Sequence, residues 1–228
     1  MDWFEPVSAY CERSGPGFWA EPANAVSNAA FLLAAAAVAR RAARADPPDR
    51  PCLALSGLIA VVGLGSFLFH TLAVYWAMLA DVIPIAVFIY AYLFLALRRF
   101  LRLSPVRAGT ATAGFALFGV ALTPMLDGVT GADVSRLTNG SIDYLPALIA
   151  LFGMALAVLG RPEERFLGTG RRLAGIGLLF LISLVARTTD QAVCAVLPVG
   201  THTLWHILNA AVLYGLVSTA IRHRETAG

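Results

Sequence analysis

Seven apolar stretches, each long enough to cross a membrane, divide the chain. They lie approximately at residues 24–43, 52–73, 76–97, 108–126, 143–160, 172–190 and 201–221, and Arg clusters, Pro or Gly bound each of them. A helix needs about 20 mostly apolar residues to cross about 30 Å of hydrocarbon. The pattern therefore predicts seven transmembrane helices. The second and third stretches have almost no polar break between them, so we place a tight turn near Ala73 to Tyr75.

The composition agrees with burial in a membrane. Of the 228 residues, 58% are hydrophobic and 14% are charged, and the mean hydropathy is +0.73, more apolar than a soluble core of this size requires. We find no long linker and no internal repeat. We expect one all-α domain over residues 1–228, with an outer N-terminal segment at 1–23, an integral membrane bundle at 24–221 and a cytoplasmic tail at 222–228.

The basic residues predict how the chain is oriented. All 17 of them are Arg, and 14 follow the first, third, fifth or seventh stretch; the other side has only Arg13, Arg136 and Arg187. Because cytoplasmic loops are enriched in Arg and Lys, this asymmetry places the N-terminus outside and the C-terminus in the cytoplasm. The net charge of +3 thus reports topology and not a nucleic acid partner. The acidic, aromatic first residues do not resemble a cleavable signal.

A few ionisable side chains fall within or at the ends of the predicted spans, where each must be paired, hydrated or bound to something. They are His70, Asp81, Arg187, Asp190, His202 and His206. The second span runs outward and ends near His70. The third span runs inward and begins before Asp81, and the seventh runs inward from about His202. We therefore expect the three histidines and Asp81 at one depth near the outer side.

These residue types and spacings predict a metal site. His202 and His206 are four residues apart, which puts both imidazoles on one helix face. Three His ligands and an open fourth position are typical of catalytic zinc, which makes water a nucleophile near neutral pH. Asp81 could be the general base or a carboxylate that orients a His. Ser66, one turn before His70, could orient the water or stabilise an oxyanion, or simply ease helix packing.

Two further groups near the outer side are open to more than one interpretation. Polar residues open the first span, and either they cap the helix or they join Glu12 in an oxygen-rich cation site; they are Glu21, Asn24, Ser27 and Asn28, with Pro22 in the first turn. Tyr144 begins the fifth span, as an interfacial aromatic or as an oxyanion donor that reaches the site.

The cysteines suggest a compartment. Cys11 and Cys194 both fall on the predicted outer side, whereas Cys52 lies at the cytoplasmic start of the second span. A disulfide between Cys11 and Cys194 would form in an oxidising compartment.

The chain resembles the alkaline ceramidases, within a superfamily of seven-span hydrolases that also includes the adiponectin receptors. The resemblance covers essentially the whole chain. It rests on Tyr10-Cys11-Glu12, on the motifs AEPANAVSN and GSFLFH, on an Asp eleven residues after that motif's His, and on HTLWH before the last span.

The resemblance implies a zinc amidase that cleaves the N-acyl bond of ceramide to a sphingoid base and a fatty acid. His70, His202 and His206 would be the zinc ligands, Asp81 the acid and base, and Ser66 a stabiliser of water or oxyanion. It also supports the Cys11 to Cys194 disulfide.

The resemblance further implies a calcium site near the N-terminus, at Glu12 and Glu21. The family pattern has an Asp-Trp pair before the Cys-Glu and an Asn two residues after it. This chain departs from that pattern, with Ala9-Tyr10 and Ser14 at those positions. The candidate calcium set is therefore Glu12 and Glu21, with Tyr10 and Ser14 at the positions that differ.

We therefore expect a zinc-dependent hydrolase in a bacterial inner membrane, with its site toward the periplasm. Its substrate would be a membrane lipid, either ceramide or another N-acyl lipid such as an acyl-amino-acid lipid or a dihydroceramide. One alternative is a receptor or sensor with a structural zinc and little turnover. A transporter is disfavoured, because the inner halves of the spans lack the polar groups that a conduction path needs.

Overall fold

A computed structural model describes residues 2–226, and seven of its helical segments are long and apolar enough to cross a membrane. The first span is formed by α1 (Pro22–Ser27) and α2 (Ala29–Arg44), and the next three are α3 (Arg50–Leu72), α4 (Tyr75–Arg99) and α5 (Pro105–Thr130). After the short α6 (Val134–Leu137) and a 3-10 turn (Ser141–Tyr144) come α7 (Leu145–Leu159), α8 (Glu164–Thr189) and α9 (His202–Glu225).

The predicted all-α fold with seven spans is confirmed, and most boundaries fall within a few residues of the prediction. The sixth span is the main exception. It begins at Glu164 instead of near residue 172, because the Arg-containing segment before the apolar stretch is also helical. Arg is a good helix former, and the end of a spanning helix can extend into the polar interface. The orientation of the termini stays a prediction.

The tight turn predicted between the second and third spans is present. Ala73 ends α3 in the left-handed conformation, with φ of 46°, and its N–H donates to the Phe69 carbonyl. Val74 is extended and forms a single antiparallel bridge with Pro6, while the Val7 N–H donates to the Ala73 carbonyl at 2.8 Å. The N-terminal segment therefore lies against this turn, at the end of the bundle that carries the histidines, the histidine end.

Helix α9 is the centre of the bundle. It packs against α2, α3, α4 and α8. In its most apolar stretch of 18 residues, 67% of the residues are buried, the largest share of any of the seven spans. Helix α5 is the opposite case, because Ala108 is its only buried residue. The side chains of α5 therefore face lipid almost entirely, whereas both ends of α9 are enclosed by protein.

At the other end of the bundle, a buried ion pair ties three helices together. Asp49 caps α3 by accepting from the Cys52 N–H, and both of its oxygens accept from Arg99 of α4, at 2.8 and 3.0 Å. Arg99 also donates to the Ala220 carbonyl of α9 at 3.1 Å. Burial raises the pKa of Asp49, but the Arg99 hydrogen bonds outweigh it and leave the pKa below its usual range. We call this the Asp49 end.

Helices α3 and α4 approach each other closely at Gly65. A Cβ at this position would overlap the Ala80 carbonyl, which belongs to the backbone of α4 and cannot move aside. The contact places Ser66 of α3 beside Asp81 of α4. The absence of a side chain at Gly65 thus sets the distance between two of the candidate site residues.

We predict that Gly65→Ala will markedly lower the thermal stability of the purified protein, because the added methyl group must push α3 and α4 apart. The measurement is the fraction of monodisperse protein left after heating in detergent. Gly57→Ala is the matched control on the same helix, since a Cβ there meets nothing within 4 Å. It should leave stability unchanged or raise it by about 1 kcal/mol through helix propensity. Equal stability of the two variants would contradict the close approach.

Candidate metal centre

Three buried histidines meet at the histidine end of the bundle. His70 comes from the last turn of α3, and His202 and His206 come from the first two turns of α9. One ring nitrogen of each lies within 4.8 Å of those of the other two. Each residue is at most 1% exposed. The three histidines are therefore close together, as the directions of the spans predict.

The donor set fits a zinc ion. Among residues 2–226, His70 Nε2 and His202 Nδ1 are buried without any hydrogen-bond partner. A buried polar nitrogen without a partner costs free energy, and a metal ion is one partner that satisfies such a nitrogen. Three neutral imidazoles are a known zinc ligand set. His70, His202 and His206 are accordingly the residues that would hold the metal.

His70 is held from behind by Glu21, which precedes α1. Glu21 Oε2 lies 2.6 Å from His70 Nδ1, and the carboxylate also binds the Arg13 guanidinium. Arg13 in turn donates to the His70 carbonyl at 3.0 Å. Burial raises the pKa of Glu21, but its bonds to His70 and Arg13 outweigh this and lower the pKa. A carboxylate on the far nitrogen fixes the ring and its tautomer, as it does behind many zinc-binding histidines.

His206 is oriented by two serine hydroxyls. Ser27 Oγ, at the end of α1, lies 2.7 Å from His206 Nδ1, and Ser66 Oγ lies 3.4 Å from Nε2. Because Ser27 occupies Nδ1, the Nε2 atom is left to face the other two rings. The short helix α1 thus contributes to the site through Ser27, just as the loop before it contributes Glu21.

The N-terminal segment covers His202. The Tyr10 ring stacks on the His202 ring with centroids 3.5 Å apart. The neighbouring Cys11 forms a disulfide with Cys194, as predicted. Asp190 accepts from the backbone N–H groups of Cys11 and His202, at 3.0 and 2.9 Å. These links hold Tyr10 over the ring and align the start of α9.

Asp81 lies on α4 at the same level and is 8% exposed. Its polar neighbours are His70, Arg187 and Ser66. Arg187 of α8 donates to the Tyr10 hydroxyl at 2.9 Å and lies over the rings of Tyr144 and Trp205. The structure thus brings the predicted acid and base beside both the histidines and Ser66.

Tyr144 is buried at the start of α7. It lines a narrow apolar cavity of about 70 Å³ between α4, α5, α7, α8 and α9. The cavity begins one helical turn from the site, at Asn209 after His206 and at Ile85 after Asp81. It runs toward the Asp49 end as far as Ala96. Tyr144 therefore contacts the Arg187 side of the site and the cavity together.

The residues predicted for calcium already have protein partners. Both oxygens of Glu12 accept from the backbone N–H groups of Ala23 and Asn24, so Glu12 caps α1 from eleven residues away. The sequence suggests that the residues that open the span cap the helix themselves, but Glu21 at the N-cap position makes no capping hydrogen bond. Tyr10 lies on His202, and Ser14 is exposed. Calcium at these residues stays a prediction.

The sequence reasoning missed the partners of the histidines. The sequence pattern places Glu21 and Ser27 at the start of a helix or in a cation site. No spacing rule connects them with histidines that lie about fifty or more positions away. The available signal was an acidic and hydroxyl-rich motif at the same predicted depth as the histidines.

The chain matches the family model described as Ceramidase over residues 9–226. The match covers nearly the whole chain, so the chain belongs to the Ceramidase family, as the motifs indicated. Membership supports a ceramide-hydrolysing function and implies amidohydrolase activity on a lipid substrate. A comparison with curated proteins finds no match.

We predict that Glu21→Gln will lower zinc affinity by roughly 10- to 100-fold while the protein still folds, because the His70 ring loses its carboxylate partner. The measurement is zinc per protein by elemental analysis after dialysis against graded chelator. Glu12→Gln is the control, since Glu12 touches only the backbone of α1. It should keep zinc and lose some thermal stability. Equal zinc retention in the two variants would contradict the orienting role of Glu21.

Proposed function

We propose that the protein is a zinc-dependent intramembrane hydrolase that cleaves the N-acyl amide bond of ceramide or a related N-acyl lipid. The observation that carries the proposal is the convergence of three buried imidazoles beside a carboxylate, one helical turn from an apolar cavity. Membership of the Ceramidase family supports the same reaction class. The lipid would reach the site laterally from the outer leaflet, on the periplasmic side of a bacterial inner membrane.

The division of labour among the residues follows from their chemistry. His70, His202 and His206 would hold the zinc, which would supply polarisation of the amide carbonyl and a lowered pKa for bound water. Asp81 accepts a proton from the attacking water and delivers it to the nitrogen as the C–N bond breaks, so the products are a fatty acid and a free amine. A buried carboxylate suits such a proton transfer, because burial disfavours its charged form.

Ser66 supports this chemistry from α3. Its hydroxyl lies between His206 and Asp81, where it can donate to the developing oxyanion or orient the water. Tyr144 presents a second hydroxyl at the entrance of the cavity. We assign Ser66 to the reacting groups and Tyr144 to the boundary between those groups and the acyl chain.

The apolar cavity supports a long-chain substrate. Its lining is almost wholly aliphatic and aromatic, and it continues along α4 and α9 away from the histidines. An acyl chain inserted there would leave its amide carbonyl at the histidines.

We predict that the wild-type protein binds about one zinc ion per chain, because three histidine ligands form one zinc site. We also predict that it releases fatty acid from ceramides. Asp81→Asn should keep the zinc and lose turnover by about 100-fold or more, the usual scale for removing a general base. His206→Ala should lose both zinc and turnover. The measurements are elemental analysis and fatty-acid release in detergent micelles.

The outcomes separate the enzyme from the receptor or sensor. Stoichiometric zinc without hydrolysis of any N-acyl lipid would favour the receptor, and wild-type protein without zinc would exclude the mechanism. Lipid profiles of cells with and without the protein would then identify the substrate that accumulates.

We predict that Ala150→Phe will shift the preferred acyl chain to a shorter length, because Ala150 lines the cavity part of the way along α7 and a phenyl ring would fill it. The measurement is the relative rate across a series of N-acyl chain lengths. The neighbouring Ile149 is 53% exposed on the lipid-facing side, so Ile149→Phe is the matched control. An identical chain-length profile for both variants would show that the cavity does not hold the acyl chain.

A further inference from the structure

The guanidinium of Arg187 is a partly buried cation with most of its hydrogen-bonding capacity unused. Its one side-chain hydrogen bond among residues 2–226 goes to the Tyr10 hydroxyl, and its Nε atom is buried without a partner. No carboxylate of the described chain lies within 4.0 Å of it. Burial raises the pKa of Tyr10, so Tyr10 is a neutral acceptor. Asp81 is an acidic neighbour of Arg187, but it lies too far away to accept the free N–H groups directly. A guanidinium has five N–H donors, and leaving them unpaired within a membrane bundle is costly.

Aromatic rings surround this cation without satisfying its donors. The Arg187 Cζ atom lies 5.7, 5.5 and 5.4 Å from the ring centroids of Tyr10, Tyr144 and Trp205. Such rings attract a cation and exclude water from it. They leave the planar N–H groups available, and a planar carboxylate is the partner that matches their geometry.

Arg187 also faces a space that a ligand can occupy. It lines a lateral cavity of about 350 Å³ between α4, α5 and α7, which shares Ile85 and Tyr144 with the apolar cavity. Two tyrosines, Thr123 and Asp143 also line it, and the exposed Asp143 carboxylate accepts from the Thr123 hydroxyl at 2.8 Å. Arg187 is therefore the only cation in the lining of this cavity.

Arg187 lies a short distance from the reacting groups. It is bonded to Tyr10, and Tyr10 stacks directly on His202. A substrate with its amide at the histidines and its acyl chain in the apolar cavity would therefore carry the substituent of its nitrogen toward Arg187.

We propose that Arg187 binds a carboxylate on the amine side of the substrate, which makes N-acyl amino acids a preferred substrate class. This inference rests on the hydrolase function proposed above. In the reaction, water adds to the acyl carbon, the C–N bond breaks, and the proton passes to the nitrogen. The products are a fatty acid and a free amino acid.

The test compares two probes that differ only in charge, an N-acylglycine and the N-acylglycinamide of the same chain length. Both are assayed with zinc-loaded protein in nonionic detergent. The wild type should favour the carboxylate in kcat/KM by about tenfold or more, the scale of one hydrogen bond to a charged group. Arg187→Gln should bring the ratio to about one, mainly by raising KM for the acylglycine, and should leave the zinc content unchanged.

Tyr10→Phe is the matched control, since it removes the hydroxyl that Arg187 binds and keeps the guanidinium. It should retain the preference for the carboxylate. If it abolishes the preference as Arg187→Gln does, Arg187 acts only through Tyr10 and the inference is wrong. A wild type that treats the two probes alike overturns the inference even if Arg187→Gln fails to fold.

Direct binding keeps this inference separate from the hydrolase proposal. The probes are titrated against wild type and Arg187→Gln by calorimetry. If no N-acyl lipid is hydrolysed but the wild type binds N-acylglycine tighter than the amide in an Arg187-dependent way, the hydrolase proposal fails and the carboxylate site stands. If ceramide is hydrolysed and the two probes bind equally, the hydrolase stands and the carboxylate site fails.

Discussion

The contact between Glu21 and His70 connects the parts of the molecule that must be in place together. The Glu21 carboxylate binds His70 at the end of α3, Arg13 of the N-terminal segment and Asn24 of α1. A buried carboxylate and a buried imidazole are tolerable only when each satisfies the other. Because Arg13 belongs to the N-terminal segment, this segment has to fold onto the bundle for the histidine site to be complete. The disulfide and Tyr10 then hold the cover in position.

The two ends of the bundle solve the problem of buried charge differently. At the Asp49 end, Asp49 and Arg99 neutralise each other and link three helices. At the histidine end, nitrogens of His70 and His202 and much of the Arg187 guanidinium have no partner in the described chain. Unused capacity of this kind is expected where a metal or a substrate binds. The apolar cavity between the ends has the length and lining for an acyl chain.

Helix α9 explains why these features coincide. Its first turns carry two of the histidines, its middle lines the cavity with Asn209 and Leu213, and its last turns meet Arg99. A helix enclosed by four others can hold its side chains in fixed positions. Helix α5, almost wholly exposed to lipid, lies beside the lateral cavity and has the fewest packing constraints in the bundle.

The seven spans, the turn at Ala73 and the shared depth of His70, Asp81, His202 and His206 could be predicted from the sequence. These properties depend on hydrophobic length, on the distribution of Arg and on helical spacing, all of which are local. Tertiary structure alone decided that Glu21 and Ser27 support the histidines, that Glu12 caps α1 and that Arg187 meets Tyr10. Those contacts join residues far apart in the chain, and their distances depend on close helix packing such as that at Gly65. Spacing along one helix fixes which face a side chain occupies, but only the packing of several helices determines what that face meets.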